Sequence, residues 1–145
     1  MGTPDGTEKS LRAFIDANHQ EQVQFLTDMV RVPTDNPPGD CAPHAKRTAR
    51  LLEKIGRRVE HHPLSADAAG VNAMLSATNL VVRRRFGNGP VIALNAHGDV
   101  VPPGEGWTRD PYGAEIVDGE ICGRGVTVSK SDFATYTWAM IALET

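Results

Sequence analysis

The sequence predicts an α/β domain in which helices pack in layers against a sheet. Apolar residues recur at helical spacing in the first part of the chain and again near its end, and short apolar runs bounded by turn residues lie between them. Helices, then strands, then a helix favour this arrangement over a helical bundle or a β-sandwich. The 145 residues correspond to the length of one domain.

The N-terminal part is expected to begin with a flexible leader, residues 1–8, and the folded region to comprise residues 9–145. From Leu11 onward the apolar spacing predicts either one long amphipathic helix or two helices with a break near Asn18-His19. The helical region is expected to end before Pro33, because a proline pushes the residue before it out of the helical conformation.

Two further helices are predicted, one over residues 43–55 and one over residues 131–144. The first has an apolar side, and Gly56 follows it as a suitable C-terminal stop. His44 is the lone histidine of this helix and is expected to be exposed. The last helix carries several large apolar side chains, which indicates that much of its surface is buried.

Four segments with strand character are predicted: residues 58–64, 79–86, 90–95 and 114–122. The run at 90–95 is almost entirely apolar, which is typical of a strand that is buried on both faces. Residues 114–122 contain Asp118-Gly119, a dipeptide that favours a tight hairpin turn.

Composition and charge exclude several functional classes. The formal net charge is −3, so no basic surface indicates nucleic-acid binding or a polycationic attachment to a membrane. The N-terminal residues are polar and lack the apolar core of a secretory signal. Cys41 and Cys122 are far apart and form no disulfide framework or CxxC pair. These features favour a cytoplasmic protein with two free thiols.

The segment that ends the apolar run contains the first candidate site. His97 and Asp99 are two residues apart, so in an extended segment both side chains leave on the same side. Such a pair suits a metal-bound imidazole whose other ring nitrogen donates to a carboxylate. The alternative is a histidine at a strand end that is hydrogen-bonded to an aspartate in a turn.

The motifs around this pair resemble the peptidase M20 family, which includes carboxypeptidases, aminoacylases, acetylornithine deacetylase and succinyl-diaminopimelate desuccinylase. The resemblance runs from about residue 20 to the end, and the order and spacing of the motifs are more specific than any one of them. The motifs are NAHGDVVP at residues 95–102, Trp107, Asp110-Pro111-Tyr112, Asp118-Gly119 and Gly123-Arg124-Gly125, with an early loop at residues 32–39.

The resemblance implies a zinc-exopeptidase-like fold with a mixed sheet flanked by helices, of which residues 9–145 would be the N-terminal portion. The C-terminal half and the inserted lid domain, through which the full-length protein would form a homodimer, are expected to be absent. It also implies hydrolysis of an amide or peptide bond by a water activated by zinc, with two zinc ions per full-length subunit. The substrate would be a small peptide or an N-acyl amino acid.

The roles implied by the resemblance follow the matched positions. His97 corresponds to the first metal-ligand histidine, and Asp99 to the catalytic carboxylate that orients it. Lys130 corresponds to the lysine that follows the bridging aspartate and is a supporting residue. Apart from the matched positions, Arg124 is expected to be a buried structural cation that supports the site. Val128 stands where the family has the aspartate that bridges two metals, and valine cannot bind a metal.

Three interpretations of Val128 remain open. Asp132 supplies the missing oxygen, or Ser129 or water leaves a weaker single-metal site, or the protein is a relative that is not a peptidase. Asp132 also has a simpler explanation, since a carboxylate at the start of a helix interacts well with the helix dipole.

Trp107 and Tyr112 have two possible roles, either as walls of the substrate cleft or as packing under a long loop. The remaining ligands and the general base of the family are expected beyond Thr145, so residues 1–145 alone are expected to be inactive and to bind zinc weakly or not at all. The alternative function is a non-catalytic or metal-poor relative that binds a small molecule or a protein.

Overall fold

The computed structural model describes residues 4–145, and these residues form an α/β fold of five helices and four short strands. The predicted α/β class is confirmed. In chain order the elements are α1 (Pro4–Ala17), α2 (His19–Val30), α3 (Ala42–Lys54), β1 (Glu60–Pro63), α4 (Ala66–Val71), β2 (Thr78–Val81), β3 (Glu115–Val117), β4 (Glu120–Cys122) and α5 (Lys130–Ala142).

The N-terminal helical region consists of two helices, α1 and α2, with the break at Asn18. The Asn18 side chain donates to the backbone oxygen of Phe14 (2.8 Å), which also accepts the Asn18 N–H (3.1 Å). α1 includes residues 4–8, which were predicted as part of a leader; residues 1–3 lie outside the described residues. Pro4 is compatible with this helix because its fixed φ suits a first helical turn.

The core lies between α2, α3 and α5, whose apolar sides face one another. Its buried members are Phe25, Met29, Leu51, Leu52 and Ala134. Packing these sides together removes apolar surface from water, which is the main stabilising contribution for such amphipathic helices. None of the helices within residues 4–145 combines the length and the apolar character needed to cross a bilayer.

The strands form two separate two-stranded antiparallel sheets within the described residues. β1 pairs with β2, and β3 pairs with β4 around the predicted turn at Asp118-Gly119, where both residues have positive φ (52° and 84°). The short helix α4 was not predicted. Its signal was the Ser65 side chain, which caps it by accepting the N–H of Ala68 (3.2 Å).

The buried strand predicted at residues 90–95 is wrong in both conformation and burial. This segment is irregular, and the side chains of Val91, Ile92 and Leu94 are 95%, 81% and 58% exposed. Its composition is that of a buried strand, but it forms no ladder with another segment among residues 4–145. A β-strand is stabilised by hydrogen bonds to a neighbouring strand, and among the described residues this segment has none.

Candidate functional site

The segment that carries His97 and Asp99 is held on one side by the early loop. Asp35 and Val100 form an isolated parallel bridge. The N–H of Val100 donates to the backbone oxygen of Thr34 (3.0 Å), and the N–H of Asn36 donates to the backbone oxygen of Val100 (2.8 Å). The Thr34 hydroxyl donates to the backbone oxygen of Gly98 (2.7 Å). The two segments with family-like motifs are therefore one structural unit.

The start of α5 holds the same segment from a second side. The N–H of His97 donates to the Ser129 hydroxyl oxygen (2.9 Å). Ser129 has φ 59° and ψ −42°, and the N–H of Lys130 donates across it to the backbone oxygen of Val128 (2.6 Å), which makes a γ-turn. This conformation is strained for a residue other than glycine. The strain lies at the residue that anchors His97.

His97 and Asp99 face each other, as their spacing predicted. The Nδ1 atom of His97 lies 3.1 Å from Asp99 Oδ1 and 3.0 Å from the Asp99 backbone oxygen. Both of these oxygens are acceptors, so in the neutral ring the proton is on Nδ1 and the lone pair is on Nε2. The His97 side chain is 58% exposed, so the ring is open to solvent.

Asn36 is a site residue that the sequence did not single out. Its side-chain amide donates to Asp99 Oδ2 (3.0 Å), which leaves Oδ1 for His97. The pKa of Asp99 is lowered from its ordinary value, chiefly by this hydrogen bond and further by the neighbouring His97. In the sequence, Asn36 is a polar residue in the family-like loop. Local patterns do not predict its contact with Asp99, because the two residues are 63 positions apart.

The described residues do not supply the ligand set that a metal ion requires. Among residues 4–145, no group of three or more His, Cys, Asp or Glu side chains is placed to hold a metal ion. A catalytic zinc needs about three protein ligands and an open position. Val128 is 56% exposed, and Asp132 lies in the first turn of α5 and joins no such group. The described residues alone therefore do not fit a complete zinc site.

Lys130 is fully buried and connects α5 to the start of the early loop. Its Nζ donates to the backbone oxygen of Val32 (3.1 Å). Burial lowers the pKa of Lys130 to about 8, because the charged ammonium group loses its hydration. The Lys130 amino group therefore links α5 to the backbone near the candidate site, and it is not accessible to solvent.

His44 is buried, which corrects the expectation that it is exposed. Only 3% of its surface is accessible, and burial lowers its pKa to about 3, with a further contribution from the charge of Lys130. The ring packs against Phe133 at a centroid distance of 6.1 Å and lies directly behind Gly98. A Cβ atom added to Gly98 would lie 2.9 Å from His44 Nδ1, so the glycine permits this close approach.

Trp107, Arg124 and Tyr112 brace the loops beside the site. The Trp107 indole N–H and the Arg124 guanidinium both donate to the backbone oxygen of Pro103 (3.0 and 2.9 Å), and the guanidinium carbon lies 5.4 Å from the centre of the indole ring. The Tyr112 hydroxyl donates to the Asp35 carboxylate, and the pKa of Tyr112 is raised by burial and by this bond. Tyr112 is partly buried, whereas Trp107 is 39% exposed. Arg124 is partly buried.

Known proteins match this chain over the region that contains the site. Residues 93–145 match the model of peptidase family M20/M25/M40. The succinyl-diaminopimelate desuccinylase of Acidiphilium cryptum is 34% identical over 122 residues, covering 84% of this chain and 29% of that enzyme. The enzyme of the same name from Cereibacter sphaeroides is 36% identical over 124 residues, covering 83% and 30%. That of Rhodospirillum rubrum is 47% identical over 60 residues, covering 41% and 15%.

The chain thus spans less than a third of the length of these relatives. No solved structure matches it. The matched region includes the His97–Asp99 pair, the Gly-Arg-Gly segment and α5, which agrees with the family recognised from the motifs. Over residues 93–145 the chain matches peptidase family M20/M25/M40, and it is similar to part of each of these desuccinylases.

Proposed function

We propose that this protein acts as a zinc-dependent hydrolase of amide bonds, with His97 as a metal ligand and Asp99 as the carboxylate that orients it. The observation that carries the proposal is the His97–Asp99 contact, in which Nδ1 faces two acceptors of Asp99 and Nε2 keeps its lone pair. The contact lies inside the segment that matches the family model. A metal at this place would be held through Nε2.

The proposed substrate class is a small peptide or an N-acyl amino acid. The relatives are named succinyl-diaminopimelate desuccinylases, which favours N-succinyl amino acids as the first compounds to test. Tyr112 and Trp107 are proposed as neighbours of the substrate only through their place in the loops beside the site, because their polar groups are already used in contacts within the chain.

Residues 1–145 alone are proposed to be inactive, because the described part of the chain supplies one metal ligand where about three are needed. A chimera tests the function of the segment: the 122 matched residues of the Acidiphilium cryptum desuccinylase are replaced by those of this chain. We expect the chimera to hydrolyse N-succinyl amino acids with added zinc, while the isolated chain releases no amine above background. A chimera that folds and binds zinc but has no activity contradicts the proposal.

Variants of the chimera test the individual roles. Asp99→Asn is expected to reduce kcat/KM by about 10- to 100-fold, since an orienting partner of a metal ligand contributes that much. Val128→Asp is expected to increase both the zinc content and the activity, because it restores a carboxylate at the position that bridges metals in the family. The exposed His19, changed to Ala, is the matched control and is expected to leave both unchanged.

A second candidate function is a metal-poor relative that binds a small molecule or a protein without catalysis. The observation that favours it is Val128 at the bridging position, together with the lack of a three-ligand group among residues 4–145. Metal analysis of the chimera separates the two functions. Zinc bound in stoichiometric amount supports the hydrolase, and its absence at micromolar free zinc supports the binding protein.

The proposed location is the cytoplasm, supported by the free thiols of Cys41 and Cys122. Burial raises the pKa of the Cys41 thiol, which keeps it protonated and unreactive. Homodimerisation of the full-length protein through a lid domain stays a prediction, as does the lack of nucleic-acid and membrane partners. Gel filtration of the chimera, with the parent desuccinylase as a reference, tests the dimer.

A further inference from the structure

Asn36 contacts the candidate site through two separate hydrogen bonds. Its backbone N–H donates to the backbone oxygen of Val100 (2.8 Å), and its side-chain amide donates to Asp99 Oδ2 (3.0 Å). The backbone bond fixes the base of the side chain in the parallel bridge between the two segments. The amide is therefore presented to the carboxylate from a part of the chain that is itself held in place.

The other oxygen of the same carboxylate contacts the imidazole. Asp99 Oδ1 lies 3.1 Å from His97 Nδ1, so the carboxylate lies between the Asn36 amide and the His97 ring. The terminal torsion of an aspartate is broad and has no strong intrinsic preference. An amide that binds one oxygen restricts this torsion and keeps the second oxygen directed at the ring.

We propose that Asn36 is a positioning residue for His97, which acts through the Asp99 carboxylate and sets the ring tautomer that leaves Nε2 free. The inference rests on the proposed function in one respect, since a free Nε2 is useful where His97 binds a metal. The order of contacts is Asn36 amide, Asp99 carboxylate, His97 Nδ1–H. The Asn36 amide and the His97 Nδ1–H both donate to the Asp99 carboxylate, one to each oxygen, so the carboxylate links the two side chains.

The tautomer of His97 in the purified 145-residue chain is the measurement that tests this series. Long-range ¹H–¹⁵N NMR at pH 8 distinguishes Nδ1–H from Nε2–H rings without any metal or substrate. In the unmodified chain we expect Nδ1–H to predominate. Asn36→Leu removes the amide without adding charge, and it is expected to reduce the ratio of Nδ1–H to Nε2–H by about tenfold, as the loss of an ionic hydrogen bond would.

Two comparisons make the result specific. Asn79→Leu changes an exposed asparagine in β2 in the same way, and it is expected to leave the His97 ratio unchanged. In an Asp99→Ala background, adding Asn36→Leu is expected to cause no further change, because the amide then has no carboxylate through which to act. Asn36→Gln keeps an amide donor and is expected to restore part of the ratio.

The inference is overturned if the ratio in folded Asn36→Leu equals that of the unmodified chain, or if the same change persists without Asp99. Should Asn36→Leu lose the dispersed NMR spectrum of a folded chain, Asn36→Ser, whose hydroxyl is too short to reach Asp99 Oδ2, replaces it with the same expected and contrary results. The proposed function fails separately, through an inactive chimera, and that failure leaves the tautomer result unaffected.

Discussion

Acidification is expected to destabilise this chain through His44. The ring is buried with 3% of its surface accessible, and its Nε2 atom has no hydrogen-bond partner within the described residues. The pKa of His44 is lowered from 6.5 to about 3, chiefly by burial and then by the charge of Lys130. A protonated ring in this position would be a buried cation without a compensating acceptor, which is costly.

The sign and size of this change in stability follow from the pKa of His44 in the unfolded chain, 6.5, and in the folded chain, about 3. Between pH 6.5 and pH 3 the unfolded chain binds a proton at His44 that the folded chain does not, so the free energy of unfolding falls as the pH falls through this window. The slope approaches about 1.4 kcal/mol per pH unit. From pH 7 to pH 4.5 the expected loss is about 2 to 3 kcal/mol, which is a large fraction of the stability of a small domain.

Urea unfolding monitored by the fluorescence of the buried Trp138 measures this loss at pH values from 7 to 4.5. His44→Leu removes the titrating ring and keeps an apolar side chain of similar size, so its stability should depend less on pH by about 2 to 3 kcal/mol over the same range. His19→Gln, at an exposed position of α2, should keep the pH dependence of the unmodified chain. Equal pH dependence in His44→Leu and the unmodified chain would refute the reasoning.

Two further predictions concern the packing of the site segment. Gly98→Ala should lower the free energy of unfolding by about 1 to 3 kcal/mol, since the added methyl would lie 2.9 Å from the His44 ring. Gly70→Ala is the control, because open space surrounds Gly70 and the methyl should not destabilise the chain. Chemical denaturation of both variants measures the two effects, and equal effects would contradict the prediction. Ser129→Ala should cost about 1 to 3 kcal/mol because the His97 N–H loses its acceptor. Hydrogen exchange at the His97 amide should be faster in this variant than in the unmodified chain, and unchanged exchange would contradict the prediction.

Local patterns predicted most of the regular elements. Helical spacing predicted the region of α1 and α2 and left open one helix or two, and the structure has two with the break at the place named for the second alternative. Asp118-Gly119 identified the hairpin between β3 and β4. Each of these signals involves residues that are neighbours in sequence, and the conformations they favour depend on backbone sterics and hydrogen bonds within a few residues. The spacing of His97 and Asp99 likewise predicted that their side chains meet.

Two predictions failed because they depend on how segments that are distant in sequence are arranged in space. The apolar run at residues 90–95 has the composition of a buried strand, yet burial requires a partner, and within the described residues none lies beside it. His44 was expected on the surface because a lone polar residue in a helix usually faces water, but the helix orientation places it behind Gly98.

The motifs of the sequence by themselves indicated the resemblance to the family. Short-range spacing predicted the regions of α1, α2, α3 and α5 and the His97–Asp99 pair, because these features depend on residues that are near one another in the chain. Only the tertiary structure decided that the Asn36 amide reaches Asp99 across 63 residues and that Ser129 anchors His97 from a strained turn. Such contacts depend on the path of the chain between distant segments, and that path is set by the packing of the whole domain rather than by any local pattern.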